Sequence, residues 1–191
     1  MNAPGITRHR RPFLAPIWIA ALAALVVGTA LFIAVRLAAL HLTTVSTVIV
    51  VRHAEKAALP ATDPPLSPQG ELRAARLAEL LGASAGPGRA QVILSSDALR
   101  ARSTAAPLAA RLGLAVETVP AGDVPGLLRR IHDAGRGNTT VVVGHGDTVP
   151  RIVAGLSGGR FEVRLREDEF GTAYVVTLSD FGPPSLLQLN Y

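Results

Sequence analysis

The sequence predicts an α/β fold in three layers: a mostly parallel sheet with helices on both faces, preceded by one N-terminal transmembrane helix. Three observations predict it. No charged residue occurs from Pro12 to Val35. Beyond that stretch, short strand-like runs alternate with amphipathic helical segments, the pattern of a parallel sheet covered on both sides. Two of the runs, "TVIVV" (47–51) and the start of "TTVVVGHG" (139–146), are continuously β-branched, as expected for strands buried from two faces.

The apolar segment "FLAPIWIAALAALVVGTALFIAV" is about long enough to cross a ~30 Å hydrocarbon core as a helix. Arg8, Arg10 and Arg11 precede it, and no acid occurs before Glu55. The positive-inside rule therefore predicts a cytoplasmic basic arm (1–12), a single-pass anchor (13–40) and an extracytoplasmic domain (41–191). The alternative is a cleaved signal peptide followed by secretion. Its apolar core is usually ~7–15 residues, shorter than this run, and "RLAALHL" is a weak cleavage site. A buried core helix is disfavoured because the segment has no polar face.

Removing Arg8, Arg10, Arg11 and Arg36 from the 19 Lys+Arg leaves 15, against 14 Asp+Glu. The downstream domain is thus near neutral, and the basic pI is no argument for nucleic-acid binding. With no cysteine, disulfides, thiolate metal sites and a cysteine nucleophile are excluded.

Along the domain, "TVIVV" is the first strand and "TDPPLSPQG" (62–70) a loop. In "PQGELRAARLAELLG" (68–82), Leu72, Leu77, Leu80 and Leu81 recur near helical spacing, with Gly82 as a stop. "QVILS" (91–95) is a second strand. "SDALRARSTAAPLAARLG" is a helix entered at Ser96 or Asp97 and closed at Gly113. "LAVETV" (114–119) is a third strand, and "GDVPGLLRRIHDAG" a helix capped by Asp123. The fourth strand ends at His145 and leads into "DTVPRIVAGLSGG", with Asp147 and Thr148 as its caps. Two later strands follow at 172–178 and 185–190.

In such sheets ligands bind at the carboxyl ends of the strands. Those ends deliver Arg52, His53 and Glu55 from the first strand, and Ser95 and Ser96 ahead of Arg100 and Arg102 from the second. The fourth delivers His145 between Gly144 and Gly146. Arginine forks match phosphate oxygens and stay charged, and helix N-termini add backbone donors. A histidine among arginines is held neutral and nucleophilic, while a second stabilises charge on a transferring phosphoryl group. A metal is not expected: no close histidine pair occurs, and arginines disfavour a cation. His9, His41 and His132 have no visible partners.

In order and spacing, "VRHAEK", "SSDALRARSTAAPLA" and "VVVGHGDTVP" resemble the three signatures of the histidine phosphatase superfamily, over roughly Thr47 to Leu178. "DPPLSPQGELRAARLAELL" resembles the segment after the first signature, where Ala54 replaces the usual glycine. The resemblance implies a phosphoglycerate-mutase-like fold of the short phosphatase type. It implies His53 as the phosphorylated nucleophile, with Arg52, Arg100 and His145 binding the phosphoryl group. The matching pattern "RARSTA" starts at Arg100, so Arg100 takes that role and Arg102 does not. For the general acid it points to the region after the third strand, where Asp123 is the first choice; Glu117 and Glu55 are fallbacks.

The expected activity is hydrolysis of a phosphomonoester without a cofactor, on a phosphorylated small molecule or protein, with the membrane as the other partner. Alternatives are a protein phosphohistidine phosphatase or a phosphoglycerate-mutase-type enzyme, and more remotely a non-catalytic phosphate-binding membrane module. Only about twenty residues separate the third strand from the fourth, so the pocket is expected to be open.

Overall fold

The computed structural model describes residues 17–41, 44–60, 62–84, 86–134 and 136–191. The basic arm and residues 13–16 of the expected anchor lie outside the described residues, as do 42, 43, 61, 85 and 135. The chain divides into two units, Met1–Thr43 and Thr44–Tyr191.

The described part of the first unit is one helix, α1 (Ile17–His41). Its residues Ile17–Ala38 have a mean hydropathy of 2.5, and none of this window is buried. At 1.5 Å per residue, these 22 residues extend ~33 Å. Length and composition suit a membrane span, and a signal sequence near an N-terminus meets the same description.

The second unit is a six-stranded sheet flanked by four α-helices. Its elements in chain order are β1 (Val45–Arg52), α2 (Pro68–Gly82), β2 (Val92–Ser96), α3 (Leu99–Leu112), β3 (Val116–Val119) and α4 (Val124–Asp133). They continue with β4 (Thr139–Gly144), α5 (Thr148–Leu156), β5 (Thr172–Ser179) and β6 (Ser185–Asn190). The sheet order is β3-β2-β4-β1-β5-β6. β3, β2, β4 and β1 run parallel, while β5 and β6 add an antiparallel margin.

Alternation along the strands assigns the two faces. Ile49, Val51, Ile93, Val141 and Val143 pack with α2 and α3, through Leu77, Ala101, Ala105 and Leu108. Val48, Val50, Leu94 and Val142 pack with α4 and α5, through Leu127, Ile131, Val149 and Ile152. Both apolar sides of each central strand are thus removed from water, which is why these strands read as unbroken hydrophobic runs.

Two details differ from the sequence expectation. Of the four leucines in α2, Leu77 is buried, whereas Leu72 and Leu80 are exposed. The face turned inward is Gly70, Ala74, Leu77 and Ala78, because small residues let α2 approach closely. A Cβ on Gly70 would sit 2.2 Å from the Glu55 carbonyl oxygen. The helix after β2 starts at Leu99, not at Ser96 or Asp97. Ser96 remains in the sheet, and the Asp97 carboxylate accepts from the Ala121 amide (3.0 Å). The orphan Leu99 amide is satisfied instead by Asp63, from the loop before α2, at 2.8 Å.

Candidate active site

Register builds the site. Arg52 pairs with Gly144 across β1 and β4, and the His53 amide extends that ladder to the Gly144 carbonyl (2.9 Å). The next residue on each strand end is a histidine-bearing position, so His53 and His145 emerge side by side. Their ring centroids lie 5.1 Å apart, at an interplanar angle of 66°. β2 pairs with β4 through Ser95 and Val143, which brings Ser96 alongside.

Each imidazole is oriented from behind. His53 Nδ1 lies 2.8 Å from the Ala54 carbonyl oxygen, a bond only a protonated Nδ1 can donate, so Nε2 is the unprotonated nitrogen. That Nε2 accepts from Arg100 Nε at 3.2 Å. A terminal nitrogen of Arg100 lies 3.3 Å from His145 Nδ1. Arginine can only donate, so the His145 proton belongs on Nε2, where it is given to Ser96 Oγ at 2.7 Å.

Both histidines are buried. Burial is the main cause lowering the His53 pKa to about 4; His145, Arg100 and Arg52 add smaller effects in the same direction, against the raising effect of the Ala54 carbonyl. The His145 value is also lowered, first by burial and then by Arg100. The arginines, expected from the sequence to hold the rings neutral, contribute less than desolvation does.

Thr104 explains the spacing of the second signature. Its buried hydroxyl accepts from the Ala54 amide (3.0 Å) and donates to the Arg100 carbonyl (2.8 Å). It ties the residue after the candidate nucleophile to the turn of α3 that carries Arg100. Asp63 steers the same side chain, with Oδ1 3.8 Å from an Arg100 terminal nitrogen.

Arg52 is gripped by the segment before β5. One terminal nitrogen donates to the carbonyls of Arg166, Glu167 and Glu169, at 2.9, 2.9 and 3.1 Å. Its guanidinium stacks 4.2 Å from the Phe170 ring centroid. The backbone of Gly146 lies against it: a Cβ there would come 3.4 Å from the guanidinium carbon. Arg52 Nε is buried and has no hydrogen-bond partner.

Arg52, His53, Arg100 and His145 line a cleft of about 480 Å³, together with Lys56, Asp147, Thr148, Arg166, Glu167 and Phe170. Sequence reasoning missed Ser96 as the partner of His145. It also missed the orienting Thr104 and Asp63, and the cleft-lining Lys56, Arg166 and Phe170. For Thr104 and Ser96 the signal was their place inside the quoted signatures. For the 166–170 segment no local signal existed.

The three carboxylates expected to include the acid are engaged elsewhere. Asp123 caps α4 by accepting from the Gly126 amide (2.8 Å), and it lines a small neighbouring cavity. Glu117 pairs with Arg130 on the exposed side of β3. Glu55 accepts two bonds from Arg73 Nε and one of 2.6 Å from a terminal nitrogen. Burial alone would raise its pKa, but the Arg73 bonds hold the carboxyl below the usual carboxylate range. None of the three lines the cleft. The expected cap at Asp147 also differs: its side chain makes no capping bond, and Thr148 Oγ1 takes the His145 amide (2.8 Å) in its place.

The site and sheet define a class. Residues 48–121 match the histidine phosphatase superfamily (branch 1). The structure of the protein histidine phosphatase SixA complexed with tungstate superposes with a TM-score of 0.61 at 25% identity, covering 75% of this chain and 96% of that one. A mycobacterial glucosyl-3-phosphoglycerate phosphatase gives 0.55 at 18% identity, covering 77% and 98%. A mycobacterial hydrolase gives 0.60 at 17%, covering 77% and 99%. No curated protein matches the chain in sequence. The family match lies within the second unit, over the residues that carry the first two signatures, and the solved phosphatases share its fold.

Proposed function

We propose that the chain is a phosphatase that hydrolyses a phosphomonoester through a phosphohistidine on His53. The observation that carries this reading is the convergence of both imidazoles on one guanidinium, 3.2 and 3.3 Å from Arg100, with the His53 Nε2 lone pair exposed to it. Nε2 attacks phosphorus in line, the P–O bond to the alcohol breaks, and water then cleaves the P–N bond. Arg52, Arg100 and His145 hold the phosphoryl oxygens, so positioning and charge stabilisation dominate. The likeness to SixA complexed with tungstate, a tetrahedral oxyanion, supports the same reading.

A protein phosphohistidine phosphatase is the second reading. The engagement of Asp123, Glu117 and Glu55 favours it, because a protonated phosphohistidine expels a neutral imidazole and asks little of an enzymic acid. The open cleft argues against a mutase, which must shelter its phosphoenzyme from water. As to location, the 22-residue apolar span and the preceding arginines support a single-pass anchor with residues 41–191 outside the cytoplasm. Secretion after cleavage is the alternative.

A panel of aryl phosphate, 3-phosphoglycerate and phosphohistidine protein tests the function. Expected is phosphate release from the monoesters, abolished in His53→Ala and reduced at least 100-fold in Arg100→Ala, the scale of one lost transition-state donor. Release from phosphohistidine protein alone would select the second reading. Binding without release, unchanged in His53→Ala, would leave only the non-catalytic module.

A further inference from the structure

An alkoxide cannot leave phosphorus readily without a proton, and the three carboxylates considered so far are bonded away from the cleft. Two acids remain among the described residues lining it, Asp147 and Glu167. Asp147 follows His145 by two residues and opens α5, where a carboxylate would ordinarily cap the helix. Here it does not: Thr148 Oγ1 accepts the His145 amide, and the Asp147 side chain is exposed with no capping bond. The turn is therefore held without it. The preceding Gly146 packs on the Arg52 guanidinium, and Asp147 lines the same cleft as Arg52 and His145. Its charge is felt by both Arg52 and His145, whereas that of Glu167 is felt by Arg52 alone. Glu167 also sits on the long segment between α5 and β5, not on a helix terminus.

We infer that Asp147 is the proton-transfer residue of the reaction: acid in the first step and base in the second. The inference rests on the phosphomonoesterase reading above. In the first step the Asp147 carboxyl is the proton donor. As His53 Nε2 bonds to phosphorus and the P–O bond breaks, the carboxyl proton passes to the departing oxygen, giving a neutral alcohol and a carboxylate. Water then attacks phosphorus, its proton goes to that carboxylate, and the P–N bond pair returns to Nε2. Protons balance over the cycle, and the starting state of Asp147 is restored.

The test uses the full chain in detergent, comparing wild type with Asp147→Asn, Glu167→Gln and His53→Ala on an alkyl and an aryl phosphate. A phenol leaves well without protonation, so the two substrates separate the two steps. Expected for Asp147→Asn is a loss of at least 100-fold on the alkyl phosphate, the usual scale of general acid catalysis. On the aryl phosphate it should give a stoichiometric burst of phenol followed by slowed turnover, with phosphate accumulating on His53. Equal losses on both substrates without a burst would assign Asp147 a structural role and overturn the inference. So would the selective alkyl loss appearing in Glu167→Gln instead. Failure of the phosphatase reading looks different: wild type and His53→Ala would then be alike on both substrates.

Discussion

Arg100 touches both imidazoles, and this one side chain aims the proposed nucleophile. Its donors can be accepted only by unprotonated ring nitrogens, so the contact at 3.2 Å requires a lone pair on His53 Nε2. Burial does the larger part of the work, lowering the His53 pKa to about 4 from an ordinary 6.5. Between those values the unfolded chain binds more protons than the folded one at this residue, so stability rises with pH across the window. The contribution is complete above about pH 6.5 and is lost as pH falls toward 4. Chemical denaturation at pH 7, 5.5 and 4.5 should show this slope, and His53→Gln should flatten it; an unchanged slope would contradict the burial of a neutral ring. Glu55, a fallback for the acid in the sequence, is bonded to Arg73 and does not line the cleft. Held by Arg73 from α2, it fixes the strand exit behind His53. Glu55→Gln should lower stability by about 1–3 kcal/mol in urea denaturation, the cost of a charge-assisted bond lost at a partly buried site.

At the scale of elements, each signature is a place where one segment grips another. Thr104 ties α3 to the exit of β1, Asp63 caps α3 from a loop, and Gly70 lets α2 press on the Glu55 backbone. Gly70→Ala should destabilise by at least the ~1–3 kcal/mol of an overpacked core, since the opposing atom is backbone and cannot swing away. Asp63→Ala should cost about 1 kcal/mol as a lost cap and lower activity by loosening Arg100. Thermal melts and phosphate-release rates measure the two effects separately. Strands β1 and β4 were legible because both of their faces are buried, and the helices because their polar faces recur with their period. The Gly113 stop was also legible, its positive φ suiting a residue without a side chain. The cap of α3 was not, because it comes from 36 residues upstream. The grip on Arg52 was illegible for a stronger reason. Its partners are backbone carbonyls, which any sequence would offer, more than a hundred residues away.

At the scale of the whole molecule, the catalytic unit carries its own two-sided core, and α1 is a separate apolar helix. If α1 anchors the protein, it should remain in the pellet after alkaline extraction of membranes, and removal of residues 1–43 should release an active soluble domain. Recovery of the mature protein as a soluble chain lacking α1 would favour a cleaved signal instead. The chemistry is the central claim, and it is tested most directly by trapping the enzyme during turnover and locating the phosphate. Rapid quench at alkaline pH followed by peptide mass spectrometry should find an acid-labile phosphoryl group on His53 in wild type and none in His53→Ala. Steady phosphate release by His53→Ala, or a phosphoryl group on any other residue, would contradict it.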